Sequence, residues 1–289
     1  MISVQKGHFM RALVLGATGR IGRMMQWAWA DVNRVSPLWQ SREDPGRAGW
    51  IGCDILHDPE GLKAACACVD VILTLAGVTP TPGADLDQNS ALALAVQRAA
   101  GGRPHLLASS AAVYGRAGGL CRESDAARPA APYGIAKLAM EQAVQAEGGP
   151  VTCLRIGNVA GADQILGRAG QGEALTLDRF ADGRTPRRSY IGPATLARVL
   201  ADLTIAAGQG RALPAILNVA ARVTVEMGAL LDAAAYPWTP RVAPPDAITE
   251  VALDIAPLSR FTRSGPASGT AAALVAEWRA YEQAARTPT

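Results

Sequence analysis

Lysine is nearly missing from this chain. Of its 28 basic residues only Lys6, Lys63 and Lys137 are lysines, the rest being arginines. Those arginines are spread along the sequence, and against 25 acidic residues they leave a net charge of +3, so no basic stripe of the kind nucleic acid requires is present. Cysteine is sparse too: Cys53, Cys66, Cys68, Cys121 and Cys153 are odd in number and form no C-x-x-C, and no histidine stands at ligand spacing to them. That argues against a disulfide framework and against a zinc site, and no metal is expected. No apolar run approaches the ~18 residues of a membrane span, and "MISVQKGHFM" lacks the apolar stretch of a signal peptide. Together the absences point to a soluble cytoplasmic protein that works on a small molecule, with no nucleic-acid or membrane partner.

What is present is a large apolar fraction, 49% of 289 residues, enough for a substantial core. Short apolar runs at Arg11–Gly16, Val35–Gln40, Val69–Gly77, His105–Ser110 and Val151–Gly157 read as strands. Alanine-rich stretches at Arg20–Ala30, Asp87–Ala100 and Gly134–Glu147 read as helices between them. This alternation predicts an α/β fold with a doubly wound parallel sheet, whose ligands sit at the carboxyl ends of the strands. After Gly161 the run "GADQILGRAGQGEALTLDRFADGRTPRR" has no sustained period and reads as loop-rich lid material. "SYIGPATLARVLADLTIAA" then gives a short strand and a helix, "AILNVAA" a late strand and Gly269–Ala284 a terminal helix. The expected division is a tail at 1–9, which reads as a start-site extension before Met10 or as a disordered tail, a Rossmann-type nucleotide-binding unit at 10–160, and a small C-terminal substrate lobe with returning elements at 161–289.

"LVLGATGRIG" spaces Gly16, Gly19 and Gly22 as G-x-x-G-x-x-G between a strand and a helix. Such a turn suits a dinucleotide: a positive φ, a backbone that approaches pyrophosphate without a Cβ in the way, and close helix–strand packing. Thr18, Arg20 and Ile21 complete the candidate cradle. An NAD site usually carries an acid at the end of the second strand, to hold the ribose 2′-hydroxyl. Gln40 stands in that place, followed by Ser41 and Arg42, and a hydroxyl with a guanidinium suits a 2′-phosphate, with Arg20 as a second charge. The expectation is NADP in preference to NAD, although Glu43 and Asp44 follow closely enough that a shift of register reverses it.

In "APYGIAK" Tyr133 and Lys137 stand four apart at the start of a helix, Pro132 suiting its first position. A phenol near pKa 10 is a poor base at neutral pH, and a lysine beside it favours the phenolate. Lowering the phenol by about 2–3 pH units takes about 3–4 kcal/mol, within the reach of a desolvated ammonium–phenolate pair with help from an oxidised nicotinamide. In a chain that uses arginine almost throughout, lysine at this spacing counts for chemistry over an ordinary surface pair.

Gly16-x-x-Gly19-x-x-Gly22, "CDILHD" (Cys53–Asp58), "LAG" (Leu75–Gly77), Asn89, "SSAAVYG", Tyr133-x-x-x-Lys137 and "LRIGNVAG" (Leu154–Gly161) together resemble the extended short-chain dehydrogenase/reductases, in their NAD(P)-dependent epimerase/dehydratase branch. "LNVA" (Leu217–Ala220) and "VALDIAPL" (Val251–Leu258) continue the likeness weakly. The resemblance implies Tyr133 as general acid/base, Lys137 as its electrostatic and ribose-binding partner, and Ser110 on the reacting oxygen. It implies Asp54 and Ile55 beside the adenine, Leu75, Ala76 and Gly77 along the middle of the cofactor, and Asn158 and Arg188 on the substrate side. It also implies a possible homodimer. The expected activity is Tyr-assisted hydride transfer at a hydroxyl or carbonyl of a sugar-nucleotide-like or other small polar substrate. The alternatives are a simple NADPH-dependent carbonyl reductase and a non-catalytic NADP-binding sensor.

Two departures narrow this. Ala111 and Ala112 stand where related dehydratases carry an Asp-Glu pair, which makes dehydration improbable. Gly192 and Thr195 replace a histidine and an acid that support the substrate lobe, which puts a standard UDP-sugar in doubt.

Overall fold

A computed structural model of the protein describes residues 9–30, 34–115, 118–262 and 266–286. The reading of residues 1–9 as a tail therefore lies outside the described residues, Phe9 excepted. In chain order the strands are β1 (Met10–Leu15), β2 (Val35–Ser41), β3 (Trp50–Gly52), β4 (Val71–Thr74), β5 (His105–Ser110), β6 (Gly119–Cys121) and β7 (Val151–Ile156). They continue as β8 (Asn158–Val159), β9 (Leu175–Arg179), β10 (Arg187–Ile191), β11 (Ile216–Val219), β12 (Thr224–Glu226), β13 (Trp238–Val242) and β14 (Glu250–Leu253). The helices are α1 (Arg20–Trp29), α2 (Pro59–Ala67), α3 (Gln88–Ala99), α4 (Pro132–Glu147), α5 (Leu166–Ala169), α6 (Pro193–Gly208), α7 (Met227–Ala233) and α8 (Ala271–Arg286).

Seven of the strands form one parallel sheet in the order β11-β7-β5-β4-β1-β2-β3. Its direction of winding changes at β1, which has β2 on one side and β4 on the other. A crevice at the carboxyl end of such a switch point is where ligands of open α/β sheets bind. Both faces are covered, which is why these strands read as unbroken apolar runs. Ala12 and Val14 pack with Met24 and Trp29 of α1 and Leu196 and Leu200 of α6, while Leu13 and Leu15 pack with Leu62 of α2 and Val96 of α3. The Trp29 indole donates to the Ala197 carbonyl at 2.8 Å and ties α1 to α6.

A second sheet runs β12-β10-β14-β6, with β8 pairing β10. The segment after Gly161, expected to be loop, contains α5 and β9. Their shortness hides them from any periodicity: α5 is a single turn, and β9 shows only Leu175 and Leu177 buried. Both leucines join a separate core with Leu166, Tyr190, Leu230 and Trp278, and β9 is completed by parallel pairing with the distant β13. The strand expected at Val69–Gly77 is confined to β4, and the residues after it turn out over the crevice.

The replacement of an acid by Thr195 is compensated from far along the chain. Glu277 of α8 accepts the Thr195 N–H at 2.8 Å and the Thr195 hydroxyl at 2.5 Å, at the start of α6. A Cβ on Gly192 would lie 2.2 Å from that carboxylate, so the glycine makes room for it. All five cysteines are free thiols. Among the described residues no helix is long and apolar enough to cross a membrane.

His105 bridges β5 to β4 and α3 in the core, with Nε2 2.8 Å from the Thr74 hydroxyl and Nδ1 2.8 Å from Gln97 Oε1. The Gln97 amide nitrogen is spent on the Gly148 carbonyl, so its oxygen faces Nδ1, which then carries the proton. Burial pushes the imidazole down to about 4, against about 6.5 in an unfolded chain. Its neutral form therefore stabilises the fold above about pH 6.5, and that contribution is lost as the pH falls towards about 4. Between about pH 7.5 and about pH 5 the loss amounts to about 2 kcal/mol, read as a falling urea midpoint. His105→Gln should flatten that decline; a variant that keeps its full slope would contradict the assignment.

Candidate active site

The turn between β1 and α1 is shaped for something that approaches its backbone. Gly16 has φ +82°, and a Cβ there would stand 2.4 Å from the Ala76 amide nitrogen; one on Gly22 would stand 2.4 Å from the Gly16 and Ala17 carbonyl oxygens. Gly19 is the N-cap of α1, yet no side chain caps the helix and no acid sits in its first turn. The first N–H groups of α1, at Arg20 and Ile21, are thus left without a side-chain cap. Thr18, Gly19 and Arg20 are exposed around them.

The end of β2 differs from its expected role in one respect. Gln40 is 5% exposed: its Oε1 accepts the Gly16 N–H at 3.0 Å and its Nε2 donates to the Cys53 carbonyl at 2.6 Å. It braces the glycine turn from beneath and offers no free group to a ribose. Of the two acids that could reverse the preference, Asp44 accepts the Gly46 N–H and has its backbone packed over Gly52, so its carboxylate is committed to its own loop, while Glu43 is exposed. Ser41 donates to the Glu43 carbonyl, and Arg42 extends into solvent with Nε 3.6 Å from Asp54.

Three further expectations are adjusted. Arg20 reaches Ala162 O at 3.3 Å in the segment after β8, and so does not add a second charge beside Arg42. Ile55 is 7% exposed in the core under α2, which leaves Asp54 as the accessible member of that pair. Leu75 and Ala76 are half-buried, both their N–H groups bonded to the Leu15 carbonyl, and Gly77 follows them to the surface.

On the other side of the switch point, β5 delivers Ser110 and α4 delivers Tyr133 and Lys137. Ala131 is extended, as a residue before proline must be, and Pro132 opens the helix. A Cβ on Gly134 would lie 2.4 Å from the Ala112 carbonyl, so only glycine lets the first turn of α4 rest on the turn that follows Ser110. That contact sets the Tyr133 phenol beside the Ser110 hydroxyl. Ser110 also accepts the Ala112 N–H at 3.2 Å, capping the same turn. Lys137, 5% exposed, donates to Ala108 O at 3.1 Å, and its ammonium is 5.9 Å from the centre of the Tyr133 ring. Gly77 lies directly against it: a Cβ there would be 3.1 Å from Lys137 Nζ and 2.8 Å from Asn89 Oδ1.

The electrostatics correct the expectation that lysine lowers the phenol. Burial dominates and pushes Tyr133 up, with only the Ser110 hydrogen bond pulling it back. Burial also pulls Lys137 down to about 8, against the raising influence of Cys153 and Glu141. Tyr133 at rest is therefore a phenol, in its acid form.

Asn158 and Arg188 stand beyond the carboxyl end of the sheet. Ser110 pairs with Ile156 across β5 and β7, and Asn158 is two residues on, in register with Tyr190 of β10. The Asn158 side chain hydrogen-bonds the Tyr190 phenol, which also donates to Asp163 at 2.9 Å. Arg188 is half-buried on the same strand, with Nη1 on the carbonyls of Arg187 and Ile248. Glu141 and Arg155, which the sequence reading passed over, form a buried ion pair beneath this floor, 2.8 Å at its closest. A carboxylate four residues after Lys137 was the available signal. Among the described residues no cluster of side chains is arranged to hold a metal ion.

Sheet order and glycine turn define a Rossmann-like α/β fold, with Ser110, Tyr133 and Lys137 gathered at the carboxyl end of its sheet. The chain belongs to the NAD dependent epimerase/dehydratase family, whose model matches residues 12–191. No curated protein matches it. Among solved structures, UDP-glucose 4-epimerase from Brucella ovis in complex with NAD superposes with a TM-score of 0.76 at 17% identity, over 94% of this chain and 98% of that one. MoeE5 in complex with UDP-glucose and NAD gives 0.72 at 21%, over 96% and 100%. TunA, an NAD-dependent NDP-hexosamine 5,6-dehydratase involved in tunicamycin biosynthesis, gives 0.71 at 19%, over 94% and 98%.

The Gly134 contact generates a direct test. Gly134→Ala should lower the urea-unfolding free energy by about 1–3 kcal/mol, because the added methyl meets backbone and not a movable side chain. A midpoint equal to that of the parent protein would show that α4 does not rest on the turn after Ser110.

Proposed function

We propose that this protein is a nicotinamide-dependent epimerase or oxidoreductase acting on a hydroxyl or carbonyl group of a sugar nucleotide or a similarly polar small substrate. The observation that carries the reading is the meeting of Ser110 and Tyr133 at the carboxyl end of the sheet, with the Lys137 ammonium buried 5.9 Å from the centre of the Tyr133 ring. The cradle at Gly16–Gly22, whose turn a Cβ would fill and whose helix end has no side-chain cap, fits a pyrophosphate. Asp54 fits the adenine end, with Ile55 packed in the core behind it, Leu75–Gly77 the middle, and Lys137 a ribose hydroxyl. When bound, a nicotinamide supplies a hydride acceptor and donor.

The chain's own residues handle the proton. Ser110 holds the reacting oxygen beside the Tyr133 hydroxyl, and Lys137 lowers the cost of transient negative charge on the phenol oxygen. Tyr133 in its phenol form donates to an oxygen whose carbon is being reduced, and as phenolate takes the proton from one whose carbon is being oxidised. A ketone kept in place and reduced on its other face leaves as an epimer; one released makes the protein a simple dehydrogenase or carbonyl reductase. An epimerase consumes no external oxidant, so the reduced-nicotinamide absorbance shows no net change over turnover. Ala111 and Ala112 supply no acid, so dehydration through an Asp-Glu pair lacks its residues, although TunA shares the fold. A sensor without catalysis gives no reason for the intact couple.

The sugar-nucleotide class draws on the ligands of the similar structures and on Arg188, which would face the substrate's phosphates with Asn158 nearby. NADP is the proposed cofactor in preference to the NAD of those structures. Gln40 is neutral, the Asp44 carboxylate is held by its own loop, and the exposed Arg42 guanidinium beside Ser41 has only a long, solvent-exposed ion pair with Asp54 at 3.6 Å to give up. The unpaired thiols suit the cytoplasm, and the exposed Ile135 on α4 suits a homodimer through α3 and α4.

A thermal-shift screen of nucleotide sugars with NADP present identifies the substrate. On it, Tyr133→Phe should cut turnover about 10²–10⁴-fold with cofactor affinity kept; undiminished turnover would sink the catalytic role. Arg42→Ala should weaken NADPH binding about tenfold and leave NADH unaffected. Equal affinity of the parent protein for both nucleotides would remove the NADP preference.

A further inference from the structure

Glu141 lies one helical turn beyond Lys137 on the buried face of α4, and is 1% exposed. Its carboxylate accepts Arg155 Nε at 3.1 and 3.2 Å, Arg155 Nη2 at 2.8 Å and the Ser109 hydroxyl at 2.6 Å. The Arg155 guanidinium covers the Tyr114 ring at 4.8 Å, and the Tyr114 hydroxyl donates to Asn218 Oδ1 at 2.7 Å. Asn218 Nδ2 in turn donates to the carbonyls of Cys121 and Asp254, next to β6 and β14. A polar chain thus runs under the site from α4 to the second sheet. Stability alone gives little reason for it, since a buried ion pair is often no better than well-packed apolar residues.

The groups facing Lys137 are few. On α4 they are Tyr133, Glu141 and the Met140 sulfur, 3.7 Å from Lys137 Nζ. On β7 they are Cys153 and, behind Glu141, Arg155; β5 presents the Ala108 carbonyl, and the connection after β4 presents Gly77 with Asn89 behind it. The Cys153 thiol is pushed up to about 12 by burial and carries no charge at neutral pH, and Tyr133 is a phenol. Glu141 is the anion of the set.

We propose that Glu141 is a positioning residue, clamped by Arg155 and Ser109 so that its carboxylate keeps the buried Lys137 as an ammonium directed at Ala108 O and the crevice. Tyr133 then always has a charged neighbour, although no carboxylate touches the phenol. The inference rests on the role of Lys137 given above, and its readout does not require turnover.

With only three lysines in the chain, labelling with ε-¹³C-lysine gives three resonances, and Lys137→Arg assigns the one that matters. Glu141→Gln should move the Lys137 midpoint down by about one pH unit or more, because an anion is lost and the Arg155 charge is left uncompensated. Glu141→Gln with Arg155→Met should move it in the same direction by less, and this double variant carries the test if the single one does not fold. NADPH affinity, read by nicotinamide fluorescence at about pH 7.5, should fall alongside the midpoint. A Lys137 midpoint that stays in place in the folded variant overturns the proposal. Failure of the parent protein to bind either nicotinamide nucleotide overturns the proposed function instead, and leaves the titration result intact.

Discussion

An ammonium group held out of water beside the end of β5 is the constraint on which the rest of the site depends. Burying a charge costs several kcal/mol unless it is paired and hydrogen-bonded, and Lys137 at 5% exposure meets that cost with the Ala108 carbonyl and a carboxylate one turn away. For the lysine to reach β5, α4 must lie close over the turn that follows Ser110, which demands Gly134. For it to face the crevice, the connection after β4 must pass without a side chain, which demands Gly77. The same approach places Tyr133 on Ser110. Three groups from two elements therefore meet because one charge has a single place to go.

The second constraint is the attachment of the C-terminal elements. Arg188 and Asn158 stand on strands of the second sheet, and their position depends on contacts made by residues far along the chain. Glu277 of α8 holds the start of α6 through Thr195, and Tyr190 links Asn158 to Asp163. Gly192 and Thr195, which look like losses in the sequence, are two halves of one substitution: the glycine admits a carboxylate from another helix, and the threonine receives it. Glu277 thus puts a carboxylate at the start of α6, where Thr195 stands in place of the acid.

The central strands and the helices α1, α3 and α4 were legible because their signals are local. Strands buried on both faces show continuous apolar runs, and the glycine spacing of Gly16, Gly19 and Gly22 answers to contacts within a few residues and one neighbouring loop. Ser110, Tyr133 and Lys137 were brought together as the motif implied. What escaped depends on partners distant in sequence. β9 is a strand by virtue of β13, 63 positions away, and Glu277 caps a helix 82 positions before it. Gln40 was found at the right place with the wrong task, since nothing in the sequence shows its amide turned down to Gly16 and Cys53. The Tyr133 phenol was misjudged in direction because its burial outweighs a cation that sits at 5.9 Å from its ring.

The proposed reaction begins with reversible oxidation at a hydroxyl, or reduction at a carbonyl, of a sugar nucleotide or a similarly polar substrate. Rapid mixing of the protein, preloaded with oxidised nicotinamide cofactor, against the nucleotide sugars it binds reads this directly as absorbance of the reduced ring. Growth of that band within the first turnover, with at least one such sugar, is the expected result. Tight binding of nucleotide sugars with no reduction of the cofactor by any of them would contradict it.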